Sequence, residues 1–401
     1  MIYLDNNATT RVAPEVFEAM QPYLTEVYGN PSSAHKFGRQ MREAVEHART
    51  QVALLLGANH ADEIVFTSGG SESDNWAIGG FLEQNPNQRH VITTRVEHEA
   101  VRKLCEHLAE IGYEVTWLEV DRNGELDPDD LRKALRPETG IVSVMLANNE
   151  TGVLFPIEEL GRIVREHSDA VFHVDGVQAV GKIPINLRNW PVDLFAVSGH
   201  KFHAPKGVGA LYIRRGVELP PFIIGGGQEQ GRRSGTEAVP NIVGLGRACE
   251  LTRDFTGHEQ IRALRDRLQD EILWRSPNAH VNGIKDSSKR LPNTSNISFA
   301  GIDGPDILAK LDEAGICVST GSACNAESKE VSAVLRAMTV PYEIARGSIR
   351  FSLGRYNTEQ EVDYTLPVLN EIIESLEREG TRRGTFDHSK PDRLPRDSEL
   401  K

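Results

Sequence analysis

The chain has 401 residues, 39% of them hydrophobic, and its 45 basic and 58 acidic residues give a net charge of −13. This length exceeds what one hydrophobic core organises, and it predicts one large and one smaller domain. The acidic balance argues against a direct nucleic-acid partner, and the lack of a membrane-length apolar run or a signal-peptide layout predicts a cytoplasmic protein with no membrane partner.

Helical patterns dominate the first sixty residues, and strand patterns alternate with helical ones beyond them. A polar arm occupies residues 1–14, and helical periodicity follows at about 14–24 and 37–56. Mostly apolar strand patterns then recur at 63–67, 90–94, 114–118, 141–146, 171–175, 193–198 and 210–213, with helical patterns at 98–111, 128–135 and 157–167. This rhythm indicates a largely parallel sheet covered by helices on both faces.

Polar side chains follow five of these predicted strands, at the ends where ligands collect in open parallel sheets. They are Ser68 to Ser71, His98, Asn148 to Glu150, Asp175 with Gln178, and Ser198 to Lys201. Five strand ends with convergent polar chemistry are hard to explain as coincidence. We therefore expect these side chains to meet at one edge of the sheet.

Four of these strand ends suit one cofactor. The Lys201 amine, desolvated at the end of an apolar strand, suits Schiff-base chemistry with an aldehyde. The glycine corner at residues 68–71 suits a single phosphate, because its spacing fits neither the dinucleotide fingerprint nor the P-loop. With Asp175 on a pyridine nitrogen and His98 stacking on the ring or shuttling protons, the set fits pyridoxal 5′-phosphate. Taken singly, these motifs also fit a solvated loop, a capped helix start and a helix-start histidine.

The four cysteines differ in their surroundings. Cys105 and Cys249 fall within helical patterns, which predicts buried thiols, and Cys317 alternates with Ile316 and Val318 in a strand pattern. Cys324 follows a run of small polar residues typical of a loop, where a reaction partner can reach a thiol. Because no pair has the CxxC spacing, we expect neither a metal site nor a disulfide framework.

The second half of the chain predicts a smaller domain. A glycine-rich loop at 225–236 precedes a long helical pattern at about 239–274, and we place the domain boundary inside that pattern. Strand patterns follow at 296–299, 316–319 and 348–353, with helical patterns at 305–314, 330–337 and 358–378. The predicted units are an arm over 1–14 that packs with the small domain, a large domain over 15–255, a small domain over 256–378 and a disordered polar tail over 379–401.

Six motifs, in chain order, resemble those of the cysteine desulfurases, a group within aminotransferase class V. They are Thr67-Ser68-Gly69-Gly70-Ser71-Glu72-Ser73, Ala147-Asn148-Asn149-Glu150-Thr151-Gly152, Asp175-Gly176-Val177-Gln178, Ser198-Gly199-His200-Lys201, Arg233-Ser234-Gly235-Thr236 and Gly321-Ser322-Ala323-Cys324. The resemblance covers the chain from Tyr3 to about residue 378. It implies an α/β protein of aspartate-aminotransferase-like fold, the fold type I of pyridoxal-phosphate enzymes, with a mostly parallel seven-stranded sheet in the large domain and a smaller α/β domain.

The resemblance also implies how the cofactor is held. Lys201 would bind the aldehyde of pyridoxal 5′-phosphate, Asp175 would contact the pyridine nitrogen, and His98 would stack on the ring. Gln178 and Asn149 would bond the region of the ring hydroxyl. The phosphate would be held by Gly70, Ser71, Ser198 and His200, together with Thr236 from the neighbouring subunit of a homodimer.

On the substrate side, the resemblance implies that Asn149 and Arg350 face L-cysteine, whose carboxylate Arg350 would clamp through two hydrogen bonds. Cys324 would take the sulfur as an enzyme persulfide and leave L-alanine, while Lys201 handles the α-proton. The sulfur would then pass to an acceptor protein for iron–sulfur clusters or another thio-cofactor. Candidate acceptors are a cluster scaffold, a tRNA-thiolation enzyme, a DNA-sulfur modification system or a nitrogenase maturation route.

Two features and three alternatives qualify this expectation. Ser71 stands where many members carry threonine, and the hydroxyl is retained. The residues after Cys324 lengthen its loop, as in the subgroup whose cysteine is mobile. The alternative functions are a selenocysteine lyase, a class V aminotransferase, which has no need of a loop thiol, and a non-catalytic sulfur-carrier scaffold with vestigial motifs.

Overall fold

The computed structural model describes residues 1–320 and 331–382. Its strands are β1 (Ile2–Tyr3), β2 (Ile64–Thr67), β3 (His90–Thr94), β4 (Glu114–Leu118), β5 (Thr139–Met145), β6 (Val171–Asp175), β7 (Leu194–Ser198), β8 (Gly209–Ile213), β9 (Ala279–Asn282), β10 (Thr294–Phe299), β11 (Ile316–Cys317) and β12 (Ser348–Ser352).

Its helices, in chain order, are α1 (Pro14–Thr25), α2 (Lys36–Leu56), α3 (Gly70–Asn75), α4 (Phe81–Gln84), α5 (Glu99–Glu110), α6 (Pro128–Ala134), α7 (Ile157–His167), α8 (Val239–Thr252), α9 (His258–Arg275), α10 (Gly304–Glu313), α11 (Ala333–Ala337), α12 (Tyr342–Ala345) and α13 (Glu359–Arg382). A π-helical turn, Trp76–Gly80, joins α3 to α4. Within the described ranges, no helix combines the length and the apolar character needed to cross a bilayer.

The seven strands from β2 to β8 form one sheet in the spatial order β2-β8-β7-β6-β5-β3-β4. Strand β8 runs antiparallel to both of its neighbours, and the remaining pairs are parallel. The prediction of a mostly parallel seven-stranded sheet is therefore confirmed. The order places β5, β6 and β7 side by side, so the polar residues that follow them reach the same edge.

Both faces of this sheet are buried, as its apolar strand patterns require. Along β2, Ile64 and Phe66 belong to one apolar cluster and Val65 to another, because successive side chains point to opposite faces. Strand β8 divides its residues in the same way, with Tyr212 on one face and Leu211 on the other. The sheet thus supplies a rigid platform whose strand ends are free to carry chemistry.

A second, smaller sheet lies in the C-terminal part of the chain. Strands β9, β10 and β12 pair antiparallel in the order β12-β10-β9. Helices α9, α10 and α13 contribute to its apolar cluster, which also includes Ile349 and Phe351 of β12. We call this cluster the smaller core, and the cluster that contains Ile64 and Phe66 the larger core.

The N-terminal arm contacts both parts of the molecule. Its strand β1 pairs in parallel with β11, and Leu4 lies in the smaller core. A few residues later the arm reaches the large sheet, where the amide of Thr10 donates to the carbonyl of His200 at 2.8 Å. The arm is therefore placed to bring backbone groups from residues 5–9 into the space between the two parts.

Several boundaries differ from the predicted ones. Strand β9 and helix α12 were not predicted, and α13 runs to Arg382, four residues past the predicted 378. Strand β9 is short and lies between Pro277 and Gly283, so its local pattern favours a turn and only its pairing with β10 makes it a strand. The division into units at residues 14, 255 and 378 stays a prediction.

Candidate active site

Lys201 lies beyond the end of β7, in a short 3₁₀ turn over Gly199–Lys201. Its Nζ donates to the carbonyl oxygens of Asn7, at 2.7 Å, and Ala8, at 2.9 Å. The arm thus supplies two acceptors that suit an ammonium group. Lys201 is half-buried, and its charge acts on both His98 and Asp175.

Asp175 ends the neighbouring strand β6 and is almost fully buried. Burial raises the pKa of its carboxyl, while His98, a hydrogen bond from the amide of Val177 and the charge of Lys201 act in the lowering direction. A buried carboxyl of this kind accepts a nearby cation readily, because the cation offsets its desolvation. Asp175 therefore suits a protonated ring nitrogen.

His98 caps the first turn of α5, where its Nδ1 accepts a hydrogen bond from the amide of Ala100 at 3.1 Å. This bond leaves Nε2 as the nitrogen that carries the proton of the neutral ring. Burial lowers the pKa of His98, Lys201 lowers it further and Asp175 opposes them. A neutral imidazole held rigidly at this edge suits stacking on an aromatic cofactor.

The strand-to-helix corner after β2 forms a cradle with little room for side chains. Gly69 has φ 155°, a conformation that residues with a side chain rarely adopt, and it lies beside Ser198, whose Oγ would be in ordinary contact with an added Cβ at 3.6 Å. At Gly70 an added Cβ would lie 2.7 Å from a methyl group of Val177, so a larger residue would force a shift. Ser71 is exposed at the start of α3. Backbone amides at the start of a helix beside a serine hydroxyl suit a phosphate.

His200 contacts the arm, with its Nδ1 3.1 Å from the Oγ1 of Thr9. Burial, with the charge of Lys201 as the next cause, lowers the pKa of His200 to about 4. The imidazole is therefore neutral near pH 7. In this neutral form, the ring nitrogen that does not contact Thr9 can donate a hydrogen bond to a phosphate oxygen.

Arg350 of β12 approaches the same edge from the smaller sheet. Its guanidinium donates to the carboxylate of Asp5 at 2.8 Å and to the carbonyl of Asn149 at 2.9 Å. The side chain is 2% exposed, and among the described residues its Nε has no hydrogen-bond partner. A buried guanidinium that keeps N–H donors, Nε among them, beyond those used by Asp5 and Asn149 suits the carboxylate of a small substrate.

Asn7 connects most of these groups, and the sequence analysis missed it by treating residues 1–14 only as a polar arm. The contacts of Asn7 run to Gln178, Lys201, Lys182, Asn149, Asn293, Thr294 and Ser352. The buried Lys182 was also missed; it bonds the side-chain oxygens of both Asn7 and Gln178. The paired amides Asn6-Asn7 in a polar arm were the available signal.

The structure brings most predicted site residues together. Lys201, Asp175 and His98 interact electrostatically, and Ser198 lies against the glycine cradle. Asn149, Gln178 and Arg350 reach them through Asn7 and the arm. Thr236 is exposed and shares a shallow hollow with Ser68 and Gly207, so its role in a neighbouring subunit stays a prediction. Cys324 lies in residues 321–330, outside the described residues.

Residues 2–365 match the family described as Aminotransferase class-V. A curated relative from Trichormus azollae, named cysteine desulfurase, is 55% identical over 378 residues, which cover 94% of this chain and 94% of the relative. A solved structure described as a NifS-like protein has a TM-score of 0.88 at 41% identity and covers 94% of this chain and 100% of its own. Another, described as SspA in complex with cysteine, has a TM-score of 0.79 at 36% identity and covers 89% of this chain and 100% of its own.

Proposed function

This chain belongs to the aminotransferase class-V family and is a cysteine desulfurase, and on that basis we propose that it converts L-cysteine to L-alanine and carries the released sulfur as a persulfide on Cys324. The observation that carries the proposal is the meeting of Lys201, Asp175 and His98 at one sheet edge, beside the buried Arg350. The solved relative bound to cysteine supports L-cysteine as the substrate.

The residues present fit pyridoxal 5′-phosphate. Lys201 would hold its aldehyde, the buried Asp175 its ring nitrogen, and the cradle at Gly70 and Ser71, with Ser198, its phosphate. Bound there, the cofactor supplies an electron-withdrawing ring that stabilises negative charge at the substrate α-carbon. His98 would cover one face of that ring and exclude water from it.

The remaining steps use the chain's own side chains. Arg350 would bind the carboxylate of cysteine with its unused Nε, while Asp5 keeps the guanidinium in place. The Lys201 amine would carry the α-proton and return a proton to the product. The carbonyls of Asn7 and Ala8, which accept from Nζ, favour the protonated amine needed for that second step.

The sulfur transfer balances without an external oxidant. The carbon–sulfur bond of cysteine breaks, and a sulfur–sulfur bond to the Cys324 thiol forms. The β-carbon is reduced to the methyl group of alanine, while the transferred sulfur is oxidised to the persulfide level. One cysteine and one thiol thus give one alanine and one persulfide, whose sulfur an acceptor protein would take up for iron–sulfur clusters or another thio-cofactor.

We also propose a homodimer in which Thr236 of one subunit serves the phosphate cradle of the other. An apolar patch comprises Phe222, Ile223 and the 89% exposed Ile224, and Phe222 lines the same surface hollow as Ser71 of the cradle. Exposed apolar patches of this kind mark interfaces. Sedimentation of the purified protein at micromolar concentration tests this, and a monomer would exclude it.

Replacing the proposed nucleophile tests the function directly. The variant Cys324→Ala should keep the yellow cofactor absorbance but lose persulfide and sulfide formation from L-cysteine. Cys317→Ala, which removes a thiol of β11, is the matched control and should retain both. Sulfur release at the normal rate by Cys324→Ala would instead favour an aminotransferase-type or selenocysteine-lyase activity.

A further inference from the structure

The turn that follows β6 places an amine beside an amide of the site. The amide of Ile183 donates to the carbonyl of Ala179 at 3.1 Å, so this turn is wound like a helix. Residues four apart lie on the same side of a helical turn, and Gln178 and Lys182 have that spacing. The Nζ of Lys182 donates to Oε1 of Gln178 at 2.8 Å, and both side chains are buried. The local winding of the chain therefore sets this contact.

The orientation of the Gln178 amide depends on that bond. Nε2 of Gln178 donates to the backbone carbonyl of Asn7 at 3.0 Å, which turns Oε1 towards Lys182. Among the described residues, Oε1 has no other donor. If the amide reversed, Oε1 would face the carbonyl oxygen of Asn7, and two acceptors would lie against each other. The amine of Lys182 thus selects one of the two amide orientations.

The same amine holds the side chain of Asn7. Nζ of Lys182 donates to Oδ1 of Asn7 at 3.1 Å, while Nδ2 of Asn7 donates to Oγ1 of Thr294 at 2.9 Å. Asn293 is a second donor to this Oδ1, at 3.0 Å. Lys182, Gln178 and Asn7 therefore form a closed ring of three hydrogen bonds. If the amine were removed, Oδ1 of Asn7 would keep a donor and Oε1 of Gln178 would not.

This ring reaches the amine that would hold the cofactor. The carbonyl of Asn7, which accepts from Gln178, also accepts from Nζ of Lys201 at 2.7 Å. Gln178 follows Asp175 by three residues and lies on the same turn as Lys182. A change at Lys182 thus reaches Lys201 through Asn7 and reaches the cofactor side through Gln178.

The surroundings of Lys182 suit an amine that orients amides, not one that neutralises an acid. Among the described residues, the hydrogen bonds of this amine run only to the two amide oxygens, and no carboxylate is paired with it. Burial lowers the pKa of Lys182 well below its usual value, and the charges of Lys201 and Arg350 lower it further. A neutral amine has two N–H donors, and the oxygens of Gln178 and Asn7 use both.

We propose that Lys182 is a positioning residue for the cofactor side: its amine fixes the amide of Gln178, and with it the contact of Asn7 to Lys201, in the orientation that pyridoxal 5′-phosphate would meet. The assignment rests on the proposed function, since the resemblance to cysteine desulfurases gives Gln178 the region of the ring hydroxyl. It predicts that loss of the amine weakens cofactor binding and leaves the stability of the cofactor-free chain nearly unchanged.

The variant Lys182→Met removes the amine and keeps an unbranched apolar side chain. The cofactor-free full chain is titrated with pyridoxal 5′-phosphate, and binding is followed by the visible absorbance. The dissociation constant should rise on the order of tenfold, the range for a buried acceptor that has lost its donor. At saturation, the visible circular dichroism of the bound cofactor should fall, because a ring without a fixed contact near its hydroxyl has no single orientation.

The melting temperature of the cofactor-free variant separates positioning from general damage. It should stay within about 4 °C of the parent value, because removal of a buried amine offsets the lost hydrogen bonds. A purely structural role for Lys182 would instead lower the melting temperature and the cofactor affinity together.

Two further variants serve as controls. Lys133→Met removes a 72% exposed amine on α6 and should change neither the dissociation constant nor the melting temperature. In a chain that already carries Gln178→Met, adding Lys182→Met should raise the dissociation constant by less than about twofold, because both changes remove the same contact.

Each outcome decides the assignment. A parent-like dissociation constant in Lys182→Met would overturn it, and so would a further rise of about tenfold in the Gln178→Met background. A melting temperature lower by more than about 4 °C, or a Lys182→Met chain that does not fold, would give Lys182 a structural role and overturn it as well.

Failure of the proposed function has a different signature. A parent chain that binds no pyridoxal 5′-phosphate would overturn both the function and the assignment. Sulfur release at the normal rate by Cys324→Ala would overturn the persulfide step alone, because the cofactor titrations of Lys182→Met do not involve that thiol.

Discussion

The cofactor side and the substrate side of this site hold their charged groups in opposite ways. On the cofactor side, Asp175 and His98 are governed by burial, which raises the pKa of the acid and lowers that of the imidazole. On the substrate side, the guanidinium of Arg350 bonds directly to the carboxylate of Asp5. The first side is set by burial and by the charges of neighbouring groups, and the second neutralises its charge by a direct contact.

The difference reflects what each side receives. In the proposed function, a protonated ring nitrogen that arrives beside the buried Asp175 would offset the desolvation of its carboxylate, so burial of the acid would favour cofactor binding. Arg350 instead keeps a carboxylate partner at all times, because an unpaired buried charge would cost several kcal/mol in the free enzyme. In the proposed function, the substrate carboxylate would add to an already oriented guanidinium, which would favour recognition of one small amino acid.

The largest effect is expected at Asp175. The change Asp175→Asn keeps the shape of the side chain but removes the charge that, in the proposed function, would hold the ring nitrogen protonated, and it should lower kcat by about 100- to 1000-fold. Steady-state alanine formation measures this. The exposed Asp130→Asn on α6 is the control, and a parent-like kcat in Asp175→Asn would mean that the cofactor side does not depend on this charge.

The next effect tests the contact pair. Asp5→Asn leaves Arg350 buried without its carboxylate, so the free energy of unfolding should fall by about 3 kcal/mol. L-Alanine should stabilise the variant against heat more than it stabilises the parent, because the product carboxylate replaces the missing charge. Glu119→Gln, which breaks the exposed pair with Arg95, should cost less than about 1 kcal/mol. If Asp5→Asn and Glu119→Gln lose equal amounts of unfolding free energy, the direct contact between Asp5 and Arg350 does not stabilise the fold more than an exposed ion pair does.

A pH series sharpens the description of the cofactor side. Burial raises the pKa of Glu97, next to His98, to about 8. The folded chain thus holds this proton more tightly than the unfolded chain, so the stabilising contribution is present at low pH and is lost as pH rises through about 8. The free energy of unfolding of the parent, measured by denaturation from about pH 5 to about pH 9, should show that loss. The variant Glu97→Gln, which cannot ionise at this position, should not show it. If the free energies of unfolding of the parent and of Glu97→Gln change in parallel with pH, the pH dependence comes from other groups.

The strand-end positions of the cofactor side could be predicted from local sequence patterns, whereas the contacts that the arm makes on the substrate side could not. Asp175 and Lys201 follow apolar runs whose strand character is local, so their meeting follows from the parallel order of the strands. The arm contacts depend on pairs far apart in sequence, such as Asn7 with Thr294, which no periodicity reveals. The contact between Asp5 and Arg350 likewise joins residues that are far apart in sequence. Cys324 lies outside the described residues, so its place stays a prediction from motif order.

The smallest effect is expected at Ser71, where the sequence departs from the threonine common among the proteins it resembles. Ser71 is exposed at the start of α3, so an added methyl group meets no packed neighbour, and the hydroxyl stays available to a phosphate. Ser71→Thr should therefore change cofactor affinity by no more than about twofold, the range of an ordinary surface substitution. Ser71→Ala, which removes the hydroxyl, should weaken cofactor binding by about five- to tenfold, the range of one lost hydrogen bond. Equal affinities for the alanine and threonine variants would mean that the backbone of the cradle, rather than this hydroxyl, holds the phosphate.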